Sequence, residues 1–380
     1  MIYLDNSATT RPYKEVLETY NKVSTSYFGN PSSLHTLGVE AERVLTKSRE
    51  TIAKELECPP QGIIFTSGGT ESNSLVIQGM VRGRKAKRRH IVTTTVEHAS
   101  TYENVRALEK EGVEVTYVEV DGEGSVSVEA IEKAIKPHTV LVTIAHVQSE
   151  LGTIQPIEEI GHLLKGHPTI KFHVDAVQSI GKVFFSISEA HIDFLTLSSH
   201  KIHGLKGTGL LYVRDKRLLT SLLRGGEQEQ QLRPGTQNVA GAAAMAKALQ
   251  LTMKQSREGI KQLEANRSLL INELKRVPSC EINSPSTQGA PHIVNFSVRG
   301  MKAEVLVQAL AAKSIYVSSQ SACSSKTMKP SRILIGAGHT EDGASSAIRI
   351  SFSFETTNEE VIECARALNT TIPELMEVMT

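Results

Sequence analysis

Short apolar runs alternate along much of the chain with longer stretches whose apolar residues recur at helical spacing. The runs are rich in β-branched residues, which favour strands, and turn residues separate them from the helical stretches. Strands that alternate with helices are typical of a mainly parallel sheet that is covered by helices on both faces. The pattern therefore predicts an α/β core with seven strands, at residues 63–65, 91–96, 113–120, 140–147, 172–174, 194–197 and 210–213.

Further strands and helices are predicted before and after this core. A short strand pattern at residues 1–4 precedes helical patterns at 13–27 and 35–56, and a long helical pattern covers 239–277. At 380 residues the chain is longer than one usual domain, so we expect a large domain and a smaller α+β domain. In the smaller domain, helices begin near Lys302 and Asn358 and alternate with strands at 293–298, 315–318 and 347–354.

Charge and apolar content narrow the class of protein. The 42 basic and 41 acidic residues give a net charge of +1, which argues against nucleic-acid binding through bulk electrostatics. A basic run at residues 82–90 lies between a helix pattern and a strand pattern, so we interpret it as a solvated connection. The chain has no secretory signal pattern and no apolar run near the ~20 residues of a membrane span, which predicts a cytoplasmic protein.

The four cysteines, Cys58, Cys280, Cys323 and Cys364, lie far apart in the sequence. Because they form no CxxC pair, we expect neither a disulfide framework nor a metal site. Cys58, beside two prolines, and Cys364, in a helical pattern, fit structural positions. Cys323 lies instead in a polar stretch of small residues, 318–327, which is typical of an exposed loop.

A lysine follows the apolar run at residues 194–197. Lys201 at the end of a buried strand loses part of its hydration, which leaves more neutral amine to attack a carbonyl group. Taken alone, a lysine after a core strand is more often a surface residue. Two other strand ends change this interpretation, because Asp175 follows the run at 172–174 and a glycine-rich turn at 66–73 opens a helical pattern.

These strand ends together match the chemical needs of pyridoxal phosphate. That cofactor requires a lysine for a Schiff base, a carboxylate beside its pyridine nitrogen, and backbone N–H groups at a helix N-terminus for its phosphate. Thr70, His98, Asp175 and Lys201 each come just after a predicted strand. Ligands of parallel sheets bind beyond the carboxyl ends of the strands, so we expect these residues to surround one site.

Several stretches of the chain resemble, in the same order, the NifS/IscS-like cysteine desulfurases of the class V aminotransferase family. The resemblance covers nearly the whole chain and is more specific than one glycine-rich loop. It implies the fold type I of pyridoxal-phosphate-dependent transferases, with a large domain at 16–255 and a small domain formed by 1–15 and 256–380. The stretches are residues 3–10, 29–33, 66–73, 97–98, 150–156, 173–178, 199–201 and 318–323.

The resemblance implies how the cofactor is held, although several of these residues also fit purely structural roles. Lys201 binds the cofactor covalently, Asp175 faces its ring nitrogen, and His98 lies against its ring and is also expected to be catalytic. Thr236 corresponds to a residue that reaches the phosphate in the neighbouring subunit, so we expect a homodimer. The other expected contacts are Gln178 to the phenolic oxygen and Gly69, Thr70, Ser198 and His200 to the phosphate.

Two residues are expected to bind the substrate. Arg349 lies inside the strand pattern at 347–354, where an unpaired guanidinium would be costly to bury. A substrate α-carboxylate fits its planar fork in a bidentate way, and a structural salt bridge is the alternative. By the resemblance, Asn30 in the loop 29–33 helps to hold the same carboxylate.

The sequence departs from the family pattern at one point. Where the family usually has two adjacent asparagines, this chain has Gln148 and Ser149. The second asparagine normally contacts cofactor and substrate, and serine is shorter and has only one donor. We therefore expect that Ser149 has lost the contact, makes it through water, or is replaced in it by another residue.

The resemblance implies an enzyme that releases L-alanine from L-cysteine and leaves a persulfide on Cys323. The sulfur then passes to an acceptor protein, for iron–sulfur cluster assembly, tRNA thiolation or synthesis of a sulfur-containing cofactor. The family fold also supports selenocysteine lyases and aminotransferases, which are the alternative enzymes. A sulfur-relay scaffold that has lost turnover is a further alternative, motivated by Gln148 and Ser149.

Overall fold

The centre of the fold is a seven-stranded sheet, which confirms the predicted α/β class and the predicted strands. The computed structural model describes residues 1–82, 89–287, 289–320 and 329–379. The sheet order is β2-β8-β7-β6-β5-β3-β4, and β8 alone runs antiparallel to its neighbours. Its strands are β2 (Ile63–Thr66), β3 (His90–Thr94), β4 (Glu114–Val118), β5 (Thr139–Ala145), β6 (Lys171–Asp175), β7 (Phe194–Ser198) and β8 (Gly209–Val213).

Both faces of this sheet are buried, as the continuous apolar runs indicate. Adjacent residues of one strand enter different cores: Ile63 packs on one side of the sheet and Ile64 on the other. The helices that cover the two faces are interspersed with the strands along the chain. The helices of the protein are α1 (Lys14–Ser26), α2 (Thr36–Glu55), α3 (Gly69–Arg82), α4 (Ala99–Lys110), α5 (Val128–Ala134), α6 (Ile157–Lys165), α7 (Val239–Leu274), α8 (Ala303–Ala312), α9 (Arg332–Gly336), α10 (Glu341–Ser345) and α11 (Asn358–Met379).

Helix α7 connects the two cores of the protein. Asn238 caps its N-terminus by accepting a hydrogen bond from the Gly241 N–H at 2.9 Å, and the alanine-rich residues that follow favour a helix. Met245 packs against the large sheet, whereas Leu263 and Leu270 belong to the core of the smaller sheet. The long helical pattern of the sequence is therefore one helix, and the domain boundary expected within it at residue 255 stays a prediction.

The smaller sheets lie in the C-terminal part of the chain. Strand β10 pairs in antiparallel fashion with β12 on one side and with β9 on the other, and β1 pairs in parallel with β11. The sequence pattern missed β9 because it is only three residues long and has the charged residue Glu281 at its centre. These strands are β1 (Ile2–Tyr3), β9 (Cys280–Ile282), β10 (Ile293–Val298), β11 (Ile315–Tyr316) and β12 (Ala347–Ser351).

After β1 the chain crosses from the smaller sheets to the end of β7. We call residues 5–10 the N-terminal strap. At its start, Asp5 forms a parallel bridge with Ser351, the last residue of β12. At its end, the Thr10 N–H donates to the His200 carbonyl at 2.9 Å, and the His203 N–H donates to Thr10 Oγ1 at 2.7 Å. The strap therefore links the smaller sheet to the segment that carries Lys201.

No helix in the described part of the chain is both long enough and apolar enough to cross a membrane.

Buried histidines predict how stability depends on pH. His173 in β6 is fully buried between Thr143 and Thr196, whose hydroxyl groups lie 2.8 and 3.0 Å from its ring nitrogens, and burial lowers its pKa to about 3. Its folded pKa is below the unfolded value, so its stabilising contribution is present above pH 6.5 and is lost as the pH falls toward 3. We expect His173 to contribute a loss of about 1.4 kcal/mol per pH unit below 6.5.

The test is the free energy of unfolding in urea at pH 7, 6 and 5. His173→Gln should have a smaller decrease between pH 7 and 5 than the parent protein, whereas the exposed control His162→Gln should not. Burial raises the pKa of Glu97 to about 8, which contributes the opposite slope in both proteins and cancels in the comparison. Equal slopes for His173→Gln and the parent protein would contradict the prediction.

Candidate active site

A cavity of about 540 Å³ opens at the carboxyl ends of strands β2, β3, β5, β6 and β7. This is the edge of a parallel sheet at which ligands bind. The turn after each strand contributes side chains to it, so residues that are far apart in the sequence meet here. Of the residues expected from the sequence, those that line it are Gly69, Thr70, His98, Ser149, Asp175, Gln178, Ser198, His200, Lys201 and Arg349.

Lys201 is the last residue of a single 3-10 turn that follows β7. Its Nζ donates hydrogen bonds to two backbone carbonyls of the N-terminal strap, those of Ser7 and Ala8, the latter at 2.8 Å. Its own carbonyl accepts a hydrogen bond from Nζ of the buried Lys182 at 3.3 Å. The strap thus forms one wall of the cavity and holds the amine within it.

Asp175 is held in a fixed orientation at the end of β6. Its Oδ2 accepts a hydrogen bond from Asn73 Nδ2 at 2.8 Å, and its Oδ1 accepts one from the Val177 N–H at 3.0 Å. Three residues further on, Gln178 Nε2 donates to the Ser7 carbonyl at 2.9 Å. Neutral donors therefore orient the carboxylate toward the cavity that it lines.

His98 caps helix α4 and is partly buried. Its Nδ1 accepts a hydrogen bond from the Ser100 N–H at 3.2 Å, which leaves Nε2 as the protonated nitrogen of a neutral ring. Burial lowers the pKa of His98, and this favours the neutral form. The preceding Glu97 is also buried and accepts hydrogen bonds from Thr94 Oγ1 at 2.7 Å and from the Ala145 N–H at 2.9 Å. Glu97 therefore joins the ends of β3 and β5 beneath His98.

The N-terminus of α3 also lines the cavity, through Gly69 and Thr70. Free N–H groups at the start of a helix, together with its dipole, attract anions. The turn before it packs closely on β8, because a β-carbon on Gly209 would lie 2.5 Å from Cα of Gly68. His200 lies at this end with Nδ1 3.2 Å from Thr9 Oγ1, and burial lowers its pKa to about 4. Lys206 also lines the cavity and adds a positive charge that sequence reasoning did not identify.

Several buried polar atoms around the cavity have no hydrogen-bond partner among the described residues. They belong to five residues that line it, and buried polar atoms are normally paired because leaving them unpaired costs free energy. A polar ligand would satisfy them, so the cavity fits a ligand with several hydrogen-bonding groups. The atoms are Ser7 Oγ, Asn73 Oδ1, Ser149 Oγ, Gln178 Oε1 and Arg349 Nε.

Arg349 in β12 is 1% exposed and forms the salt bridge that the sequence left open as an alternative. Its Nη2 lies 3.0 Å from Asp5 Oδ1 and donates to Ser318 Oγ at 2.9 Å. Its Nη1 donates to the Ser149 carbonyl at 2.9 Å. Because Arg349 also lines the cavity, the structural salt bridge and a role in substrate binding are both compatible with its position.

Gln148 and Ser149, which replace the two asparagines of the family pattern, have different roles in the turn at 148–152. Gln148 Oε1 accepts hydrogen bonds from the Glu150 and Leu151 N–H groups at 2.7 and 2.6 Å, and its Nε2 donates to the Val96 carbonyl at 3.4 Å. The Gln148 amide therefore stabilises the turn itself. Ser149 Oγ has no partner among the described residues, so Ser149 is the residue available to a ligand.

We expect Ser149→Asn to leave the KM for L-cysteine unchanged or to lower it. The side chain faces the cavity, and an amide would restore the second hydrogen-bonding group that serine lacks. The measurement is kcat and KM for alanine release. Gln148→Asn is the matched control, and it should lower the melting temperature because its shorter amide no longer reaches the Glu150 and Leu151 N–H groups. A severe loss of kcat/KM in Ser149→Asn would show that the turn has been rebuilt around serine.

Three expected site residues are not brought to the cavity by the described structure. Asn30 is exposed, and its Oδ1 accepts a hydrogen bond from the Ser32 N–H at 3.0 Å. Thr236 lines a separate cavity of about 170 Å³. Cys323 lies outside the described residues. The roles that the family resemblance implies for these residues stay predictions.

The three described cysteines are poor nucleophiles. Burial raises the pKa of Cys58 to about 12, that of Cys280 to about 11 and that of Cys364 to about 12. The thiolate is the reactive form of cysteine, so these thiols are almost entirely unreactive at neutral pH. Their positions agree with the structural roles that the sequence indicated for Cys58 and Cys364.

Sequence reasoning missed the residues that hold the predicted ones in place. Ser7 and Ala8 bind Lys201, and Asn73 binds Asp175. A signal for all three was present, because they lie in the stretches 3–10 and 66–73 that match the family.

The class of protein follows from the fold and the site. A mainly parallel sheet covered on both faces, with a lysine and a carboxylate at adjacent strand ends, has the fold type I of pyridoxal-phosphate-dependent transferases. A solved structure of a NifS-like protein superposes with a TM-score of 0.92 at 35% identity, and the match covers 99% of each chain. The predicted fold is therefore confirmed.

The chain belongs to the aminotransferase class V family, whose model matches residues 2–363. It is 39% identical to a putative cysteine desulfurase IscS 1 of Bacillus subtilis, over 96% of this chain and 97% of the relative. A solved structure described as SspA in complex with cysteine is 34% identical, with a TM-score of 0.82, and the match covers 93% of this chain and 99% of that one. The predicted family is confirmed, and enzymes of this family depend on pyridoxal phosphate.

Proposed function

We propose that the protein is a cysteine desulfurase, which converts L-cysteine to L-alanine and leaves a persulfide on Cys323. The observation that carries the proposal is the convergence of Lys201, Asp175 and Arg349 on one cavity. An amine, a carboxylate and a guanidinium in that arrangement suit an amino-acid substrate and a pyridine cofactor. Relatives over nearly the full length of the chain are named cysteine desulfurases, which supports this choice within the family.

The residues of the cavity fit pyridoxal phosphate. Lys201 would hold it covalently, Asp175 would face its ring nitrogen, and Gln178 would bind its phenolic oxygen. His98 would lie against the ring, and the start of α3 with Gly69, Thr70, Ser198 and His200 would hold the phosphate. Gln178 Nε2 has a second N–H besides the one that it donates to the Ser7 carbonyl, and this N–H suits the phenolic oxygen. When bound, the cofactor supplies an electron sink for the negative charge that develops at the substrate Cα.

The chain's own groups move the protons and hold the substrate. Lys201 Nζ takes the proton from the substrate Cα, and Asn73 holds the Asp175 carboxylate in the orientation in which it would face the ring nitrogen. Neutral His98 offers a hydrogen-bond donor from Nε2. Arg349 holds the substrate α-carboxylate near Ser149.

Sulfur leaves the substrate by attack of the Cys323 thiolate. A sulfur–sulfur bond forms as the substrate Cβ–S bond breaks, and Cβ takes up a proton to give a methyl group. Lys201 Nζ then returns a proton to Cα, which gives alanine. Substrate and enzyme thiol are thereby converted to alanine and persulfide with no external oxidant or reductant. The low reactivity of the described cysteines supports Cys323 in this role.

We further propose a cytoplasmic homodimer, in which Thr236 reaches the phosphate in the partner subunit. An apolar surface near the start of α2 supports a dimer, because Leu34 is 99% exposed and Phe28 is 71% exposed, with Leu37 and Val39 beside them. The residues 1–15 and 256–380 form the proposed small domain. A sulfur-acceptor protein then takes the persulfide sulfur for cluster assembly, tRNA thiolation or synthesis of a sulfur-containing cofactor.

The test is the product balance of the purified protein loaded with pyridoxal phosphate and supplied with L-cysteine. We expect one alanine for each sulfur released or bound as persulfide. A keto acid in place of alanine would indicate an aminotransferase, and alanine from selenocysteine alone would indicate a selenocysteine lyase. Sulfur uptake from another persulfide donor without alanine formation would indicate a relay scaffold. Each of these three results would contradict the proposed function.

A further inference from the structure

The guanidinium of Arg349 is already engaged by groups of the chain. Arginine has five N–H donors. Both hydrogens of Nη2 are used, one by Asp5 Oδ1 and one by Ser318 Oγ, at 3.0 and 2.9 Å. One hydrogen of Nη1 is used by the Ser149 carbonyl at 2.9 Å. Nε–H has no partner among the described residues, so one N–H on each of Nε and Nη1 is available to a ligand.

These two available N–H groups do not form a fork. A carboxylate binds a guanidinium with both oxygens along an edge that presents two parallel N–H bonds. One such edge consists of Nε and Nη2, and the other consists of Nη1 and Nη2. Both edges include Nη2, whose hydrogens point to Asp5 and Ser318. A second carboxylate can therefore bind in a bidentate way only if Nη2 exchanges one of these partners.

Asp5 is firmly placed to hold Nη2. Its backbone bridges to Ser351, and its carbonyl accepts hydrogen bonds from Tyr3 Oη at 3.1 Å and from the Ala8 N–H at 3.0 Å. Its Oδ1 also accepts a hydrogen bond from Ser318 Oγ at 2.8 Å. The carboxylate is thus fixed by the strap on one side and by Ser318 on the other.

We propose that Asp5 is an internal competitor for the substrate α-carboxylate and that it sets how tightly the site binds carboxylate ligands. This inference rests on the proposed function, in which Arg349 receives that carboxylate. A guanidinium that is 1% exposed is costly to leave without a counter-ion, and Asp5 supplies one when no substrate is bound. The substrate carboxylate must then replace an existing ion pair, which weakens its net binding.

The exchange of Asp5 for a ligand carboxylate on Arg349 favours release of the product. Alanine carries the same α-carboxylate as cysteine, so an arginine without a competitor would bind product as tightly as substrate through this group. With Asp5 ready to return to Nη2, the guanidinium regains its ion pair as the product leaves. Asp5 is in this sense a positioning residue for Arg349 that favours release.

The test compares two fragments of cysteine in titration calorimetry with the cofactor-loaded enzyme. The first fragment, 3-mercaptopropionate, keeps the carboxylate and lacks the amine, whereas cysteamine keeps the amine and lacks the carboxylate. In Asp5→Asn we expect 3-mercaptopropionate to bind about tenfold more tightly, as expected when a charged competitor for one hydrogen bond is removed. The affinity for cysteamine should not change.

Ser318→Ala is the matched comparison, because it removes the neutral partner of the same nitrogen and leaves the charge of Asp5 in place. It frees one hydrogen of Nη2 but keeps the charged competitor, so it should tighten binding of 3-mercaptopropionate less than Asp5→Asn does. Asp5→Ser is a second variant without the charge, for use if Asp5→Asn does not fold or retain the cofactor. Unchanged or weaker binding of 3-mercaptopropionate in the folded Asp5 variant would overturn the proposal.

The binding measurement needs no turnover, so the two proposals fail in different ways. Absence of alanine formation would contradict the proposed function and leave the binding comparison intact. Unchanged carboxylate binding with normal alanine formation would overturn the role of Asp5 alone.

Discussion

Replacing Lys201 with alanine should lower the rate of alanine release from L-cysteine by about 10³-fold or more, within the range that a general acid–base group contributes. The alanine side chain at position 201 has no amine to hold the cofactor or to take the proton from the substrate Cα. The contacts of Lys201 Nζ with the strap place that amine inside the cavity, and Lys206 is the other described lysine that lines it. We therefore expect the absorbance of the Schiff base to disappear together with the activity.

The site of covalent attachment can be identified by reduction of the Schiff base with borohydride and mass spectrometry of the peptides. The label should be on Lys201. Lys182 is the internal control, because burial lowers its pKa to about 8 and makes it a chemically plausible amine, but it is not among the described residues that line the cavity. The exposed Lys216→Ala should retain parent activity. A label on Lys182, or parent activity in Lys201→Ala, would refute the assignment.

Cys323→Ser should abolish the persulfide while cofactor binding and cysteine binding persist. A serine hydroxyl cannot replace a thiolate as the nucleophile toward sulfur at neutral pH. Lys201, Asp175 and Arg349 are unchanged in this variant, so L-cysteine should still alter the absorbance of the bound cofactor. This variant thereby separates binding of cysteine at the cofactor from transfer of sulfur to Cys323.

The measurement is mass spectrometry of the intact protein and its peptides after brief exposure to L-cysteine. The parent protein should gain one sulfur on the peptide that contains Cys323. Cys58→Ser and Cys280→Ser are the controls, and both should form the persulfide at nearly the parent level because burial raises the pKa of these thiols. Sulfur found on another cysteine would show that the assignment of the loop is wrong.

The fold could be predicted because each strand of the large sheet leaves a local signal. All residues of β5 and β7 are buried, so most of them are apolar, and the buried exceptions are small residues such as Thr143 and Thr196. Strand β9 left no such signal, since it lies at a sheet edge and is only partly buried. The pairing of β1 with β11 could not be read from periodicity, because it joins residues at opposite ends of the chain.

Site residues could be predicted where a polar side chain directly follows a buried strand. Asp175 and Lys201 stand out because polar residues directly follow apolar runs, and the sheet brings the ends of adjacent strands together. The partners of these residues were not predictable in this way. Ser7 contributes a backbone carbonyl, which any residue type possesses, and the pairing of Asp5 with Arg349 depends on how the smaller sheet is placed.

The strap also determines when the active site can form during synthesis. Asp5 and Arg349 are 344 residues apart, and Ser7 is 194 residues from Lys201. A ribosome that adds 5–20 residues per second needs roughly 20 to 70 s to extend the chain from the first member of the longer pair to the second. Until β12 has been synthesised the strap has no partner in it, although the strands of the large sheet are made earlier. The Asp5–Arg349 ion pair can therefore form only after the whole large sheet has been synthesised.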